Sequence, residues 1–172
     1  MRKFVLAVAI IAATFVIFSA CSLFPSEVPM VISNPAPPTE AEIFEQRIFE
    51  LVNIERANYG IPPLIWHDEL AASAQAHSAD MAQNNNFSHD SSDGTSFSER
   101  IAALAIPNVV GMAENVIAGF QTPEAMMEGW MNSEGHRANI LNPSLTHIGI
   151  GFYHLQGSQY TFYATQKFIT IR

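Results

Sequence analysis

Residues 147–171, HIGIGFYHLQGSQYTFYATQKFITI, decide the fold of this chain. Residues 147–155 and 160–171 are rich in β-branched and aromatic side chains, and Gln156-Gly157-Ser158-Gln159 between them is a turn sequence. Two such runs joined so closely pair as an antiparallel hairpin. The chain before them reads mainly as helix. Helices first and strands last imply an α+β domain with helices packed on an antiparallel sheet.

Upstream of the hairpin, Thr122-Pro123-Glu124 opens a helix with Pro at its first position, and the helix runs on through Met126, Met127 and Trp130. NVVGMAENVIAG, residues 108–119, holds a further short strand. Ser96 and Glu99 match a capping box ahead of RIAALA, and NNNFSHDSSDGTS, residues 84–96, is a loop by composition. HDELAASAQAHSADMAQN, residues 67–84, fits a helix with Leu70, Ala74, His77 and Met81 along one face. Thr39 and Glu42 form another capping box. The helix they start carries Phe44, Ile48, Leu51 and Val52 at helical spacing and stops at Gly60-Ile61-Pro62-Pro63.

The N-terminus has a different character. Arg2 and Lys3 precede Phe4 to Phe18, an apolar run of fifteen residues broken only by Thr14. That layout is a secretory signal, and the run is short for a membrane span. Ser19-Ala20 then lead to Cys21, the one cysteine of the chain. The segment resembles a bacterial lipoprotein signal, which implies cleavage after residue 20 and a lipid on Cys21. Phe18 stands where that motif more often has Leu. An uncleaved anchor with an ordinary cysteine is the other reading. The domain plan is a signal over 1–20, a Pro-rich tether over 21–38 and one domain over 39–172. PSEVPMVISNPAPPTE, residues 25–40, carries five prolines and little periodicity, as an extended tether would.

Residues 1–20 hold two of the eight Lys and Arg and none of the sixteen acids, so the remaining chain carries a formal charge of −10. Such a chain is repelled by nucleic acid, and no basic cluster offsets this. With Cys21 lipidated no thiol remains for a disulfide, a cysteine zinc ligand or a nucleophile. The 134 residues from Thr39 onward must be held by their core. A domain of that size buries about two-thirds of its chain surface.

Of six histidines, four have ordinary structural readings. His67 sits at a helix start, His147 and His154 point to opposite faces of a strand, and His77 lies on the apolar face of a helix as a hydrogen-bonded core residue. His89 in NFSHDSS and His136 in SEGHRAN differ, for both lie in polar surroundings beside an acid, Asp90 or Glu134. Glu114 follows a Gly-containing turn in GMAENV. Imidazole titrates near neutrality and ligates metals, so two histidines with one or two carboxylates suit either an open zinc site or an acid/base pair. His89 and His136 are 47 residues apart and no His-Glu-x-x-His motif is present, so spacing alone does not choose.

LAASAQAHSADMAQNNNFSHDSSDGTSFSERI, AENVIAG, GWMNSEGHRANILNP and HIGIGFY together resemble the bacterial branch of the CAP superfamily (cysteine-rich secretory proteins, antigen 5, pathogenesis-related 1). The likeness covers about residues 45–168. It implies a three-layer α-β-α sandwich with the final hairpin supplying central strands, and an open cavity lined by two His and two Glu. His89 of FSH corresponds to the first His, Glu114 of AEN to the first Glu, and His136 of GHRAN to the second His. Ala113 replaces a usual Gly. The second Glu falls at Ser133, with Glu134 beside it as a possible substitute. Arg137, Asn139 and Leu141 are expected to secure the helix that presents His136, and Trp130 to be core.

Three functions are open on these residues. The first is a membrane-anchored, extracytoplasmic binding module, taking a divalent metal on His89, Glu114 and His136, with Glu134 as a further candidate ligand and weakly bound zinc the expectation, or a lipid, peptide or cell-wall fragment. The second is a structural envelope protein with a vestigial site. The third is a metal-assisted hydrolase acting on envelope material, with His89, Glu114 and His136 as its candidate catalytic residues. No Gly-x-Ser-x-Gly elbow is present, and family likeness alone establishes no activity.

Overall fold

Residues 37–172 are described by the structure, a computed structural model. The secretory signal, the lipidation of Cys21 and most of the Pro-rich tether lie outside the described residues. Among the described residues, five helices and four strands follow in the order α1 (Glu40–Asn58), β1 (Ile65–Trp66), α2 (Asp68–Asn84), α3 (Phe97–Ala102), β2 (Val109–Ala118), α4 (Pro123–Asn132), α5 (Glu134–Ile140), β3 (His147–His154) and β4 (Phe162–Ile171).

The helix starts are those read from sequence. Thr39 accepts from the Glu42 amide while the Glu42 carboxylate accepts from Thr39, and Ser96 and Glu99 repeat the device on α3. Thr122 caps α4 with Pro123 at its first position. α2 ends at Asn85, whose left-handed conformation (φ 48°) turns the chain out of the helix.

The sheet runs β1-β3-β4-β2, so the hairpin strands are central. β3 pairs antiparallel with β4, and β4 with β2, but β1 joins β3 in parallel. The sheet is therefore mixed rather than wholly antiparallel. β1 is only two residues long, between the prolines that end the α1 connection and the start of α2, and so leaves no periodic trace in the sequence. β2 is longer than expected, ten residues in place of a short strand, because pairing with β4 extends through its polar residues Glu114 and Asn115.

The two sheet faces are covered by different helices. Ile148, Ile150, Phe152, Ala164 and Phe168 form one core with Ile48 and Val52 of α1, Met126, Met127 and Trp130 of α4 and Ile140 of α5. Trp130 is fully buried, as expected of a core residue. α2 covers the other face, where Leu70 packs with Ile101 of α3 and Ile169, and Met81 packs with Val116 and Tyr163. α2 lies almost on the strands, for a Cβ on Gly149 or Gly151 would overlap its backbone at Leu70, Ala71, Ala74 and Gln75. This is the three-layer α-β-α arrangement.

Arg56 ties the α1–β1 turn to the segment after α5. It is 1% exposed and donates from Nε to the Pro62 carbonyl, from Nη1 to Ile140 and Asn142, and from Nη2 to Leu145. Four carbonyls take the place of a carboxylate partner and satisfy a buried cation by hydrogen bonds alone.

Candidate functional site

Consecutive residues of a strand point to opposite faces, and β2 uses this to serve two layers at once. Glu114 points to the α2–α3 side and Asn115 to the α5 side. Asn115 donates from Nδ2 to the His136 carbonyl (3.1 Å) and to Gln166 Oε1 (3.0 Å), and its Oδ1 accepts from Asn139 Nδ2 (2.8 Å). Arg137 Nη1 donates to the Met131 carbonyl across the α4–α5 junction. The Asn115 bonds fix α5 against β2 and the Arg137 bond fixes it against α4, as expected of Asn139 and Arg137.

Glu114 is buried, and both its oxygens are engaged. Oε1 accepts from His89 Nδ1 at 3.0 Å and lies 4.0 Å from His77 Nε2. Oε2 accepts from Arg100 Nη2 at 2.9 Å and lies 3.7 Å from Lys167 Nζ. Burial alone would raise the carboxyl pKa, but the His89 hydrogen bond and the neighbouring cationic groups outweigh it and hold Glu114 below the ordinary range. The carboxylate only accepts, so His89 Nδ1 carries the proton, and among the described residues Nε2 makes no hydrogen bond. That bond raises the His89 pKa. Burial lowers that of His77, whose Nε2 donates to the Ser88 carbonyl (3.0 Å). Lys167 is fully buried, and desolvation brings it to about 8 against the pull of Glu114, while its ammonium donates to Ser73 Oγ at 2.8 Å.

Arg100 also shapes the loop that carries His89. It donates to the His89 carbonyl, the Thr95 carbonyl and Ser91 Oγ. One guanidinium thus links α3, the loop and the floor of the site.

Above Glu114 lies an open groove of about 500 Å³, lined by His89, Ser96, Phe97, Met112, Glu114 and Asn139 among others. The His89 side chain is 51% exposed on its rim. His136 does not line this groove. It is half-buried on α5, and burial, then the charge of His89, depress its pKa. Glu134 is exposed in the first turn of α5 and, among the described residues, forms no ion pair with His89 or His136. Ser133 joins α4 to α5 without a side-chain cap.

Glu114 therefore meets His89, while among the described residues His136 makes no hydrogen bond or ion pair with either. Three members of the cluster have no site reading in the sequence. His77 is a core histidine with a hydrogen bond, as expected, yet its ring also faces Glu114. Lys167 is found only through register, because it pairs directly with Glu114 across β2 and β4. Arg100 sits one turn into α3, and nothing in its spacing connects it to residue 114.

The model of the cysteine-rich secretory protein (CAP) family matches residues 49–168. The chain is 37% identical over 134 residues to the uncharacterized protein YkwD of Bacillus subtilis, covering 78% of this chain and 52% of that protein. It is 37% identical over 107 residues to a B. subtilis membrane protein, YlbC, covering 62% of this chain and 31% of YlbC. The chain thus spans about half or less of the curated relatives it matches. An extracellular SCP-domain protein of Bacillus anthracis superposes with a TM-score of 0.69 at 37% identity, over 80% of this chain and 45% of that one. An outer surface protein of Borrelia burgdorferi shares the fold at 18% identity, with a TM-score of 0.65 over 76% and 95% of the two chains. With its two-faced β2, its buried glutamate and a family match across most of its length, this chain belongs to the cysteine-rich secretory protein (CAP) family.

Proposed function

We propose that this protein is an exported binding module that takes a divalent cation, zinc by preference, on His89 and His136. The observation that carries the reading is the bond from His89 Nδ1 to the buried Glu114 carboxylate. Ligating histidines commonly donate one ring N–H to a carboxylate, which fixes the tautomer and frees the other nitrogen. Glu114 fits that orienting part, since its own oxygens are already engaged by His89 and Arg100. The depressed pKa of His136 supports neutral, metal-competent imidazole at physiological pH.

Affinity would be low. Among the described residues no three His, Cys, Asp or Glu side chains form a group able to hold an ion. The domain would then fold without metal, and bound zinc would supply a Lewis acid beside His89 on the rim of the groove. Phe97 and Met112 add an apolar wall suited to a lipid, peptide or envelope fragment beside the ion.

The location proposed is the extracytoplasmic face of a membrane, with attachment through lipid on Cys21. The extracellular B. anthracis protein and the B. subtilis membrane protein support it. Among the described residues no helix is long and apolar enough to cross a membrane.

Calorimetric titration of zinc at pH 7.5 into the wild type, His89→Ala and His136→Ala tests the cation reading. The expected result is binding by the wild type and at least about tenfold weaker binding by each variant. Equal affinity in all three proteins, or none in the wild type, would contradict it.

A further inference from the structure

Two loops meet at the end of the domain where α2 stops and the β3–β4 hairpin turns. Asn85 Oδ1 accepts from the Gln159 amide at 3.0 Å and fastens one loop to the other. Phe87 and Tyr160 then meet edge to face with ring centroids 5.5 Å apart, yet remain 44% and 37% exposed.

The Tyr160 ring is held from behind. Its edge packs on the fully buried Tyr163 at 6.0 Å, and the Tyr163 hydroxyl accepts from the Tyr160 amide at 3.1 Å. Thr161 follows with φ +67°, and the Phe162 amide donates to the Tyr160 carbonyl across it at 2.7 Å. That is a γ-turn with a β-branched residue in the left-handed region, a strained conformation that persists only when its surroundings hold it. The Ser158 hydroxyl accepts from the Thr161 amide and donates to the Leu155 carbonyl, bracing the turn. The chain bears strain here and keeps two large rings in water.

The surroundings show what the rings fit. Residues 83–88 and 155–161 contain six carboxamide side chains, with Ser and Thr hydroxyls, and no charged residue. Gln156 and Gln159 are exposed. These two stretches lack any Lys or Arg for an anionic headgroup or nucleic acid, and any acid for a cation; the acids of the first loop, Asp90 and Asp93, come after residue 88. Sugar rings present flat C–H faces that pack on aromatic rings, while their hydroxyl and acetamido groups hydrogen-bond to carboxamides. A rigid aromatic pair within neutral amides suits that combination of apolar face and polar rim.

We infer that the Phe87–Tyr160 surface is a second binding site, for a neutral oligosaccharide. It uses none of the residues assigned to the cation. A rigid platform orders few side chains on binding, which limits the entropic cost.

Chitotetraose, a neutral β-linked tetrasaccharide with N-acetyl groups, is the probe. It is titrated, in EDTA, into the wild type, Phe87→Ala, Tyr160→Ala and Tyr160→Phe, with amide chemical shifts followed by NMR. Ile54→Ala is the control, an apolar α1 residue 48% exposed. The expected result is shifts centred on residues 83–88 and 155–161, with about tenfold weaker binding in each ring-to-Ala variant. Tyr160→Phe keeps the ring, and its binding should stay within about twofold of wild type, as should that of the Ile54→Ala control. No binding by the wild type, or equal binding by the two Ala variants and the control, would overturn the proposal. EDTA removes free cation, so failure here leaves the zinc reading standing, and failure of zinc binding leaves this result unaffected.

Discussion

On the face of the sheet covered by α1, α4 and α5, β3 and β4 present Ile148, Ile150, Phe152, Ala164 and Phe168, all buried. On the face covered by α2 and α3, the same strands present Gly149, Gly151, Thr165 and Lys167 between the apolar Tyr163 and Ile169. The first face is stabilised by apolar area removed from water. The second adds close approach to two smaller apolar clusters. Its glycines bring α2 down until Ser78 Oγ reaches the Gly151 carbonyl and Thr165 Oγ1, each at 2.9 Å, and Ser73 meets Lys167. The comparison teaches where a buried carboxylate can be kept. Glu114 lies on the face that also carries the Ser78–Thr165 and Ser73–Lys167 bonds, with His89 and Arg100 completing its shell.

The largest expected effect is on that close packing. Gly151→Ala sets a methyl into the α2 backbone at Ala74 and Gln75, where no side chain can move aside. It should cost more than about 4 kcal/mol in urea unfolding or prevent folding, against a much smaller effect at Gly135, where a Cβ meets nothing. Similar losses at the two sites would mean the helix lies less tightly than described.

Removing the central charge comes next. Glu114→Gln keeps the shape and leaves the Arg100 and Lys167 cations without their shared anion. Destabilisation by about 3 kcal/mol is expected, since breaking a buried pair strands its partner. A change near zero would mean that water or another group satisfies both cations.

The smallest effect lies on the apolar side. Glu45 of α1 accepts from the Phe152 amide at 3.0 Å, and burial raises its carboxyl pKa to about 7. A raised pKa makes the ionised form a cost in the folded state, so this group's favourable contribution is lost as pH rises through about 7. Glu45→Gln should therefore stabilise by about 1 kcal/mol at pH 8 and have little effect at pH 5. Equal effects at the two pH values would show that the carboxylate stays hydrated.

Much of this architecture was legible before any coordinates. The hairpin alternation, two capping boxes and Pro123 are local signals, and each landed where expected. β1 was not legible, because a two-residue strand has no period. The extent of β2 was hidden because Glu114 and Asn115 break its apolar alternation, each serving a different layer. His89, Glu114 and His136 stood out by their polar, acid-flanked surroundings, and resemblance assigned them to one cavity. Lys167 and Arg100 were missed because their tie to Glu114 depends on strand register and on how α3 docks, which sequence spacing does not encode. His77 was read as core, and it is, yet a core position beside a buried carboxylate is also part of the site.

The pH behaviour of the cluster follows from two opposite shifts. His89 is raised, so its contribution is full below the ordinary histidine value of 6.5 and is lost as pH climbs through the raised value. Glu114 is lowered, so its contribution is full above the ordinary carboxyl value of 4.5 and is lost as pH falls through the depressed value. The pair is strongest between the two ordinary values, and a proton on His89 competes with zinc to a higher pH than it would on a free imidazole.

The central claim is that buried Glu114 holds His89 as an oriented, charge-assisted donor at the rim of the groove. An NMR titration of the imidazole resonances, with His89 assigned through His89→Gln, tests it most directly. The account predicts a His89 midpoint above 6.5, with His136 and His77 titrating below that value. A His89 midpoint at or below 6.5 would contradict it.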